Sequence, residues 1–168
     1  MFSCQFARQR QVRREVFLRG KGEERIVSRG EQVRILVVDD FLPYRQFVSS
    51  ILQERPGWQV TGEASDGLEA VQRAEELQPD LILLDIGLPK LNGIEAAGRI
   101  RNLAPQSKIL FVSQESSADV VEEALRLGAR GYILKAYAQR DLLAAVEAVL
   151  EGKRFVSSGL DGNWASST

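Results

Sequence analysis

Histidine occurs nowhere in the 168 residues. Imidazole bases, histidine nucleophiles and histidine-liganded metal centres are therefore excluded. Cysteine occurs once, as Cys4, so no intrachain disulfide can form and a reducing, cytoplasmic setting is expected. No apolar run approaches the ~18–20 residues of a membrane span. Val16-Phe17-Leu18 is too short for the core of a signal peptide. Internal repeats are also lacking. What is plentiful is aliphatic sequence: 44% of the residues are hydrophobic and 27% charged, which supports one domain with a real core. The net charge of −1 conceals an asymmetry. Up to Gln32, eight Lys/Arg face four Asp/Glu; from Val33 onward fourteen face nineteen, so a basic arm precedes an acidic body.

From Val33 the pattern alternates. Val33–Asp39, Trp58–Ala64, Asp80–Asp85, Lys108–Ser113 and Gly131–Lys135 are short aliphatic runs that predict strands. Between them lie stripes of helical period, the first made of Tyr44, Phe47, Val48, Ile51 and Leu52 and the last of Leu142, Leu143, Val146, Val149 and Leu150. Arg55-Pro56-Gly57, Gln78-Pro79-Asp80 and Ala104-Pro105-Gln106 end helices and lead into strands. Five strands alternating with five helices predict an α/β domain with a parallel sheet and helices on both faces. Residues 1–32 predict a mobile arm with a short helix near Gln9–Leu18. Residues 153–168 lose periodicity and are read as a tail.

In such a sheet the carboxyl ends of the strands share one edge, and ligands bind there. The first strand ends in Asp39-Asp40, the third in Asp85, the fourth in Ser113 and the fifth in Lys135. Any one of these alone is an ordinary helix cap or strand terminus. Together they place three carboxylates, a hydroxyl and an ammonium on one edge. Clustered carboxylates repel unless a cation holds them, and an all-oxygen pocket suits Mg²⁺.

The segments "ILVVDDF", "DLILLDIGLPKLNGIEA", "KILFVS" and "ARGYILKA" resemble, in order and spacing, the receiver domain of bacterial two-component response regulators. The resemblance spans Val33 to Gly152 and implies a flavodoxin-like (βα)5 fold, a doubly wound parallel five-stranded sheet in the order 2-1-3-4-5. It implies that Asp85 is the phosphoacceptor and takes a phosphoryl group from a sensor histidine kinase or phosphotransfer protein. Asp40, Asp85 and the backbone carbonyl of Gly87 would hold Mg²⁺, with Asp39 acting through water. Ser113 would bond a phosphoryl oxygen, and Lys135 would pair with Asp85 and then with the phosphate. Tyr132 takes the position of the switch aromatic, expected to rotate into space that Ser113 vacates. No dedicated enzyme is implied beyond self-catalysed phosphotransfer and autodephosphorylation.

Three positions depart from the usual pattern. Ala136 stands where many relatives have a cis proline, and a non-proline cis bond costs ~2.5–4 kcal/mol, so a trans bond and a re-aimed lysine are expected. Gly87 offers no side chain to screen a phosphoryl group. Gln114 is larger than the small residues often found beside the hydroxyl position.

The ending "LLAAVEAVLEGKRFVSSGL" is similar to the close of receivers in the LuxR-type DNA-binding branch. Output is expected through the face of the fourth helix, fifth strand and fifth helix, to a partner protein, a missing output domain or a second copy in a homodimer. Sequence-specific DNA binding by this chain is not expected, and neither is membrane association. Two other readings fit less well. A haloacid-dehalogenase-type Mg²⁺ phosphatase requires a nucleophile-x-Asp pattern that Asp39-Asp40-Phe41-Leu42 lacks. A pseudo-receiver acting only as a docking module would be marked by loss of Asp85 or Lys135, and both are present.

Overall fold

The aliphatic runs become the strands of one parallel sheet. The structure, a computed structural model, describes residues 32–160. The expected arm, Gln32 apart, lies outside the described residues, as does the tail beyond Leu160. The order is β1 (Val33–Val38), α1 (Leu42–Gln53), β2 (Trp58–Ala64), α2 (Gly67–Leu77), β3 (Leu81–Leu84) and α3 (Gly93–Leu103). β4 (Lys108–Ser113), α4 (Ala118–Arg126), β5 (Gly131–Leu134), a 3-10 turn (Lys135–Tyr137), α5 (Ala138–Leu150) and β6 (Phe155–Val156) follow. The strands lie in the order β2-β1-β3-β4-β5-β6, every pair parallel.

Alternation along each strand divides the core in two. Ile35 and Val37 face Val48 and Leu52 of α1 and Leu142, Val146 and Val149 of α5. Leu36 and Val38 face the other way, toward Ala70 and Ala74 of α2, Ile100 of α3 and Val121 of α4. β3 is covered on both faces, all four of its residues being buried. Truncating one of them, Leu83→Ala for example, would cost about 2–5 kcal/mol. The α2 and α3 starts are fixed by side chains: Asp66 accepts from the Glu69 amide at 2.8 Å and Asn92 from the Glu95 amide at 2.9 Å.

The sheet has six strands, not the five expected. Residues 153–160, read from sequence as the beginning of a tail, instead return to the sheet. Phe155 pairs with Gly131 and Val156 with Tyr132 on the outer edge of β5. The Phe155 amide donates to the Arg130 carbonyl at 3.1 Å and the Ser157 amide to the Tyr132 carbonyl at 2.9 Å. Leu160 then buries itself in the core on the α4 side. Covering β5 satisfies backbone groups that an edge strand leaves open. Among the described residues no helix is long and apolar enough to cross a membrane.

Candidate functional site

β1, β3 and β5 each stop one residue short of the expected end, and the next residue in each is charged: Asp39, Asp85 and Lys135. Ser113 is the last residue of β4. The parallel register brings all four to the same edge. Lys135 Nζ lies 2.6 Å from Asp39 Oδ2 and 2.7 Å from Asp85 Oδ2, so one ammonium bridges two strand ends. The Lys135–Ala136 peptide is trans, cis bonds being absent among the described residues. The lysine nonetheless reaches both carboxylates, because the 3-10 turn that begins at residue 135 redirects the chain there.

Each carboxylate is held by backbone. Asp85 Oδ1 accepts from the amides of Ile86 and Gly87 at 2.7 and 3.3 Å. Asp39 Oδ1 accepts from the Phe41 amide at 2.9 Å. The Asp39 carbonyl accepts from an Arg45 guanidinium nitrogen at 2.6 Å, while Arg45 also pairs with Glu63 at 3.2 Å. Below Asp85, Gly93 allows α3 to begin against the strand end: a Cβ there would lie 2.0 Å from the Asp85 carbonyl oxygen. The intervening loop is tied by Lys90, whose Nζ lies 2.5 Å from Asp66 Oδ2.

Burial dominates the electrostatics. It pushes the Asp39 carboxyl above its usual range; hydrogen bonds from Lys135 and Phe41 offset this only in part, and the charge of Asp85 adds to it. Burial also pulls Lys135 downward, but its hydrogen bonds to Asp39 and Asp85 outweigh that, and the net shift is upward. The lysine is held in its charged form.

Asp40 is exposed at the rim. Asp39, Asp40 and Asp85 can each present an oxygen so that the three lie within 4.8 Å of one another. Three carboxylates against one ammonium leave excess negative charge, and an all-oxygen donor set fits a hard divalent cation such as Mg²⁺. Asp39, expected to act only through water, is also the direct partner of Lys135. Gly87 is exposed with open space around its α-carbon, and Gln114 is exposed beside the buried Ser113.

Ser113 Oγ accepts from the Glu115 amide at 3.2 Å, and the Tyr132 hydroxyl donates to the Glu115 carbonyl at 2.7 Å. Tyr132 is fully buried, and burial pushes its hydroxyl pKa up to about 12. The expected rotation of this ring into vacated space therefore starts from a ring already buried. Sequence reasoning missed Arg45 and Lys90, for which only three-dimensional placement gives a signal. It placed Tyr44 in the α1 stripe, whereas the structure sets its ring beside Lys135.

A model of the response regulator receiver domain matches residues 35–147. The nitrate/nitrite response regulator NarL of Escherichia coli K12 is 36% identical over 134 residues, covering 80% of this chain and 62% of NarL. The solved LuxR-family two-component response regulator from Aurantimonas sp. SI85-9A1 is 33% identical with a TM-score of 0.74, covering 77% of this chain and 93% of that one. A chain of the solved CheX–CheY–BeF3⁻–Mg²⁺ complex from Borrelia burgdorferi is 26% identical with a TM-score of 0.68, covering 71% of this chain and 90% of that one. The chain spans 53–63% of the length of curated regulators such as NarL with which it aligns. Strand order, motif spacing and the family match agree, and this chain belongs to the response regulator receiver domains of two-component systems.

Proposed function

We propose that this domain accepts a phosphoryl group on Asp85 from a histidine kinase or phosphotransfer protein and relays its arrival through protein contacts. The observation that carries this reading is the lysine bridge, which holds Asp85 between a second carboxylate and a cation at the mouth of the sheet. In the reaction an Asp85 carboxylate oxygen attacks phosphorus, an acyl phosphate bond forms, and the P–N bond to the donor imidazole breaks. The leaving imidazole takes up a proton. Asp39, Asp40, Asp85 and the Gly87 carbonyl would hold Mg²⁺, which supplies charge neutralisation for the transferred group. Lys135 would move its hydrogen bond from the Asp85 carboxylate to a phosphoryl oxygen, where a compact ammonium is suitable. Positioning and electrostatics thus supply the catalysis.

The switch follows from the hydrogen bonds at Glu115. A phosphoryl oxygen would accept the Ser113 hydroxyl proton and draw Oγ toward Asp85, and Glu115 is coupled to that movement because its amide donates to Ser113 Oγ while its carbonyl is tethered by Tyr132. Phosphorylation would therefore shift the loop leading into α4, a local charge change biasing a two-state element. The output face of α4, β5 and α5 carries β6 on its edge, so a homodimer or partner engaging it would meet residues 153–160. We place the receiver unit at residues 33–152 with this segment docked on it, in the cytoplasm.

Intact-mass measurement after incubation with acetyl phosphate and Mg²⁺ tests the core of the reading. The protein should gain one phosphoryl group, and Asp85→Asn should gain none. Undiminished labelling of that variant would move the acceptor elsewhere, Asp40 being the next candidate.

A further inference from the structure

Two features of Tyr44 have no place in the phosphoacceptor scheme. Its ring lies under the bridging ammonium, with Lys135 Nζ 4.7 Å from the centroid. Its hydroxyl is buried with no hydrogen-bond partner among the described residues. Tyr44 sits in the first turn of α1, five residues beyond Asp39, where the chain has just crossed the carboxyl end of β1. Beside Asp39 and the ring is a small void lined by Val37, Leu83 and Val112. The ring therefore borders both the ammonium and this small apolar void.

An ammonium has three N–H donors, and the two carboxylates take two of them. The third direction needs a partner that holds the charge without pulling Nζ away from Asp85. An aromatic face within about 6 Å does this, because its negative quadrupole attracts a cation without offering a competing lone pair. Ala136 cannot aim the lysine as a proline would. Phe47 braces the ring from the next turn of α1, with the two ring centroids 5.7 Å apart.

We propose that Tyr44 is a positioning residue for phosphoryl transfer: its ring face holds the Lys135 ammonium against Asp85, and its hydroxyl takes no part. This rests on the phosphoacceptor reading and adds to it a residue that fixes the lysine from α1. The isolated hydroxyl sharpens the claim. A buried polar group without a partner costs stability, so removing it alone should leave Lys135 in place and the fold no weaker.

The test compares Tyr44→Phe, which keeps the ring, with Tyr44→Leu, which removes it, in the full chain. In metal-free protein the Lys135 side-chain methylene signals should be moved upfield by the ring current in wild type and in Tyr44→Phe, and should return to ordinary lysine positions in Tyr44→Leu. With acetyl phosphate and Mg²⁺, Tyr44→Leu should acquire its phosphoryl group about three- to tenfold more slowly, as a partly desolvated cation–π contact implies. Tyr44→Phe should stay within about twofold of wild type and melt no lower. If Tyr44→Leu does not fold, Tyr44→Met replaces it, since a flexible side chain fills the space without a ring. Unshifted methylene signals in wild type would overturn the proposal. So would an unchanged rate in the ring-less variant, or a Phe variant as slow as Leu. Wild type that shows the ring-current signature but never labels Asp85 would overturn the phosphoacceptor reading and leave the hold of the ring on Lys135 standing.

Discussion

Asp39 and Asp141 are both buried and both paired with a cation, yet their carboxyls shift in opposite directions. Asp141, in the first turn of α5, receives the Arg140 guanidinium on both oxygens at 2.6 and 3.1 Å and the Ser157 hydroxyl on Oδ2 at 2.9 Å. The guanidinium is the largest influence there and holds the carboxyl below its usual range, with Ser157 adding to the effect. Asp39 shares its one lysine with Asp85, and burial raises it. The difference lies in the balance of charge and donors. At Asp141 donors saturate the carboxylate, so the group acts as a clip that fastens β6. At Asp39 two carboxylates divide one ammonium, leaving negative charge for an incoming cation. A satisfied buried acid reads as structure, and an under-neutralised one reads as a site.

The sharpest way to break this comparison is to remove the shared cation. Lys135→Ala leaves Asp39 and Asp85 buried together without a counter-charge. Urea unfolding without metal should show a loss of about 3–5 kcal/mol. Mg²⁺ should recover more stability in this variant than in wild type, because added positive charge replaces what the lysine supplied. A metal-free variant as stable as wild type would mean that Asp39 and Asp85 are already solvated well enough to stand alone.

A smaller effect is expected at the clip. Asp141→Ala leaves the buried Ser157 hydroxyl without its acceptor, at a cost of about 1–3 kcal/mol. The loss should be local. Ser157 Oγ also accepts from the Leu134 amide at 3.3 Å, so the clip ties β6 to the residue before Lys135. Hydrogen exchange should quicken at the amides of Phe155 and Ser157, which bond to β5, and stay unchanged in β1 and β3. Equal acceleration across all strands would show that Asp141 supports the whole domain.

How legible each region was in the sequence follows the same division. The five main strands and the acidic edge could be read because aliphatic runs and charged ends recur with a period that one sheet enforces. β6 could not: Phe155-Val156 is two residues long, too short for alternation, and it docks through Asp141, Ser157 and Leu160, contacts that no local pattern announces. Tyr44 was legible only as one apolar member of the α1 stripe. Its place beside Lys135 depends on how α1 crosses the strand ends, a relation across ninety-one positions that sequence spacing does not encode. Tyr132 was assigned to its strand correctly, but its full burial depends on α4 and the segment after α5 closing over it.

The smallest expected effect tests the opposite shifts directly through pH. An acid whose folded pKa is lowered contributes stability above its unfolded value, near 3.9 for Asp, and loses it as pH falls through the lower folded value. Asp141 is such a group. The stability of wild type relative to Asp141→Asn should therefore be at its full value at neutral pH and shrink with acidification. For an acid whose folded pKa is raised the sign reverses. Between the ordinary value and the raised one, the native state holds more protons than the unfolded chain, so stability falls as pH rises. Asp39 is in that position, and wild type relative to Asp39→Asn should lose stability as pH climbs out of the ordinary carboxylate range, then level off above the folded value. Urea midpoints for wild type and the two variants, measured without metal between about pH 3 and 7, give both differences, and contributions from carboxylates that do not interact with the substituted residue cancel in each subtraction. Slopes of opposite sign would support a site short of positive charge and a clip that is satisfied. Slopes of the same sign would show that Lys135 neutralises Asp39 as fully as Arg140 and Ser157 neutralise Asp141, and the physical distinction between the two regions would be lost.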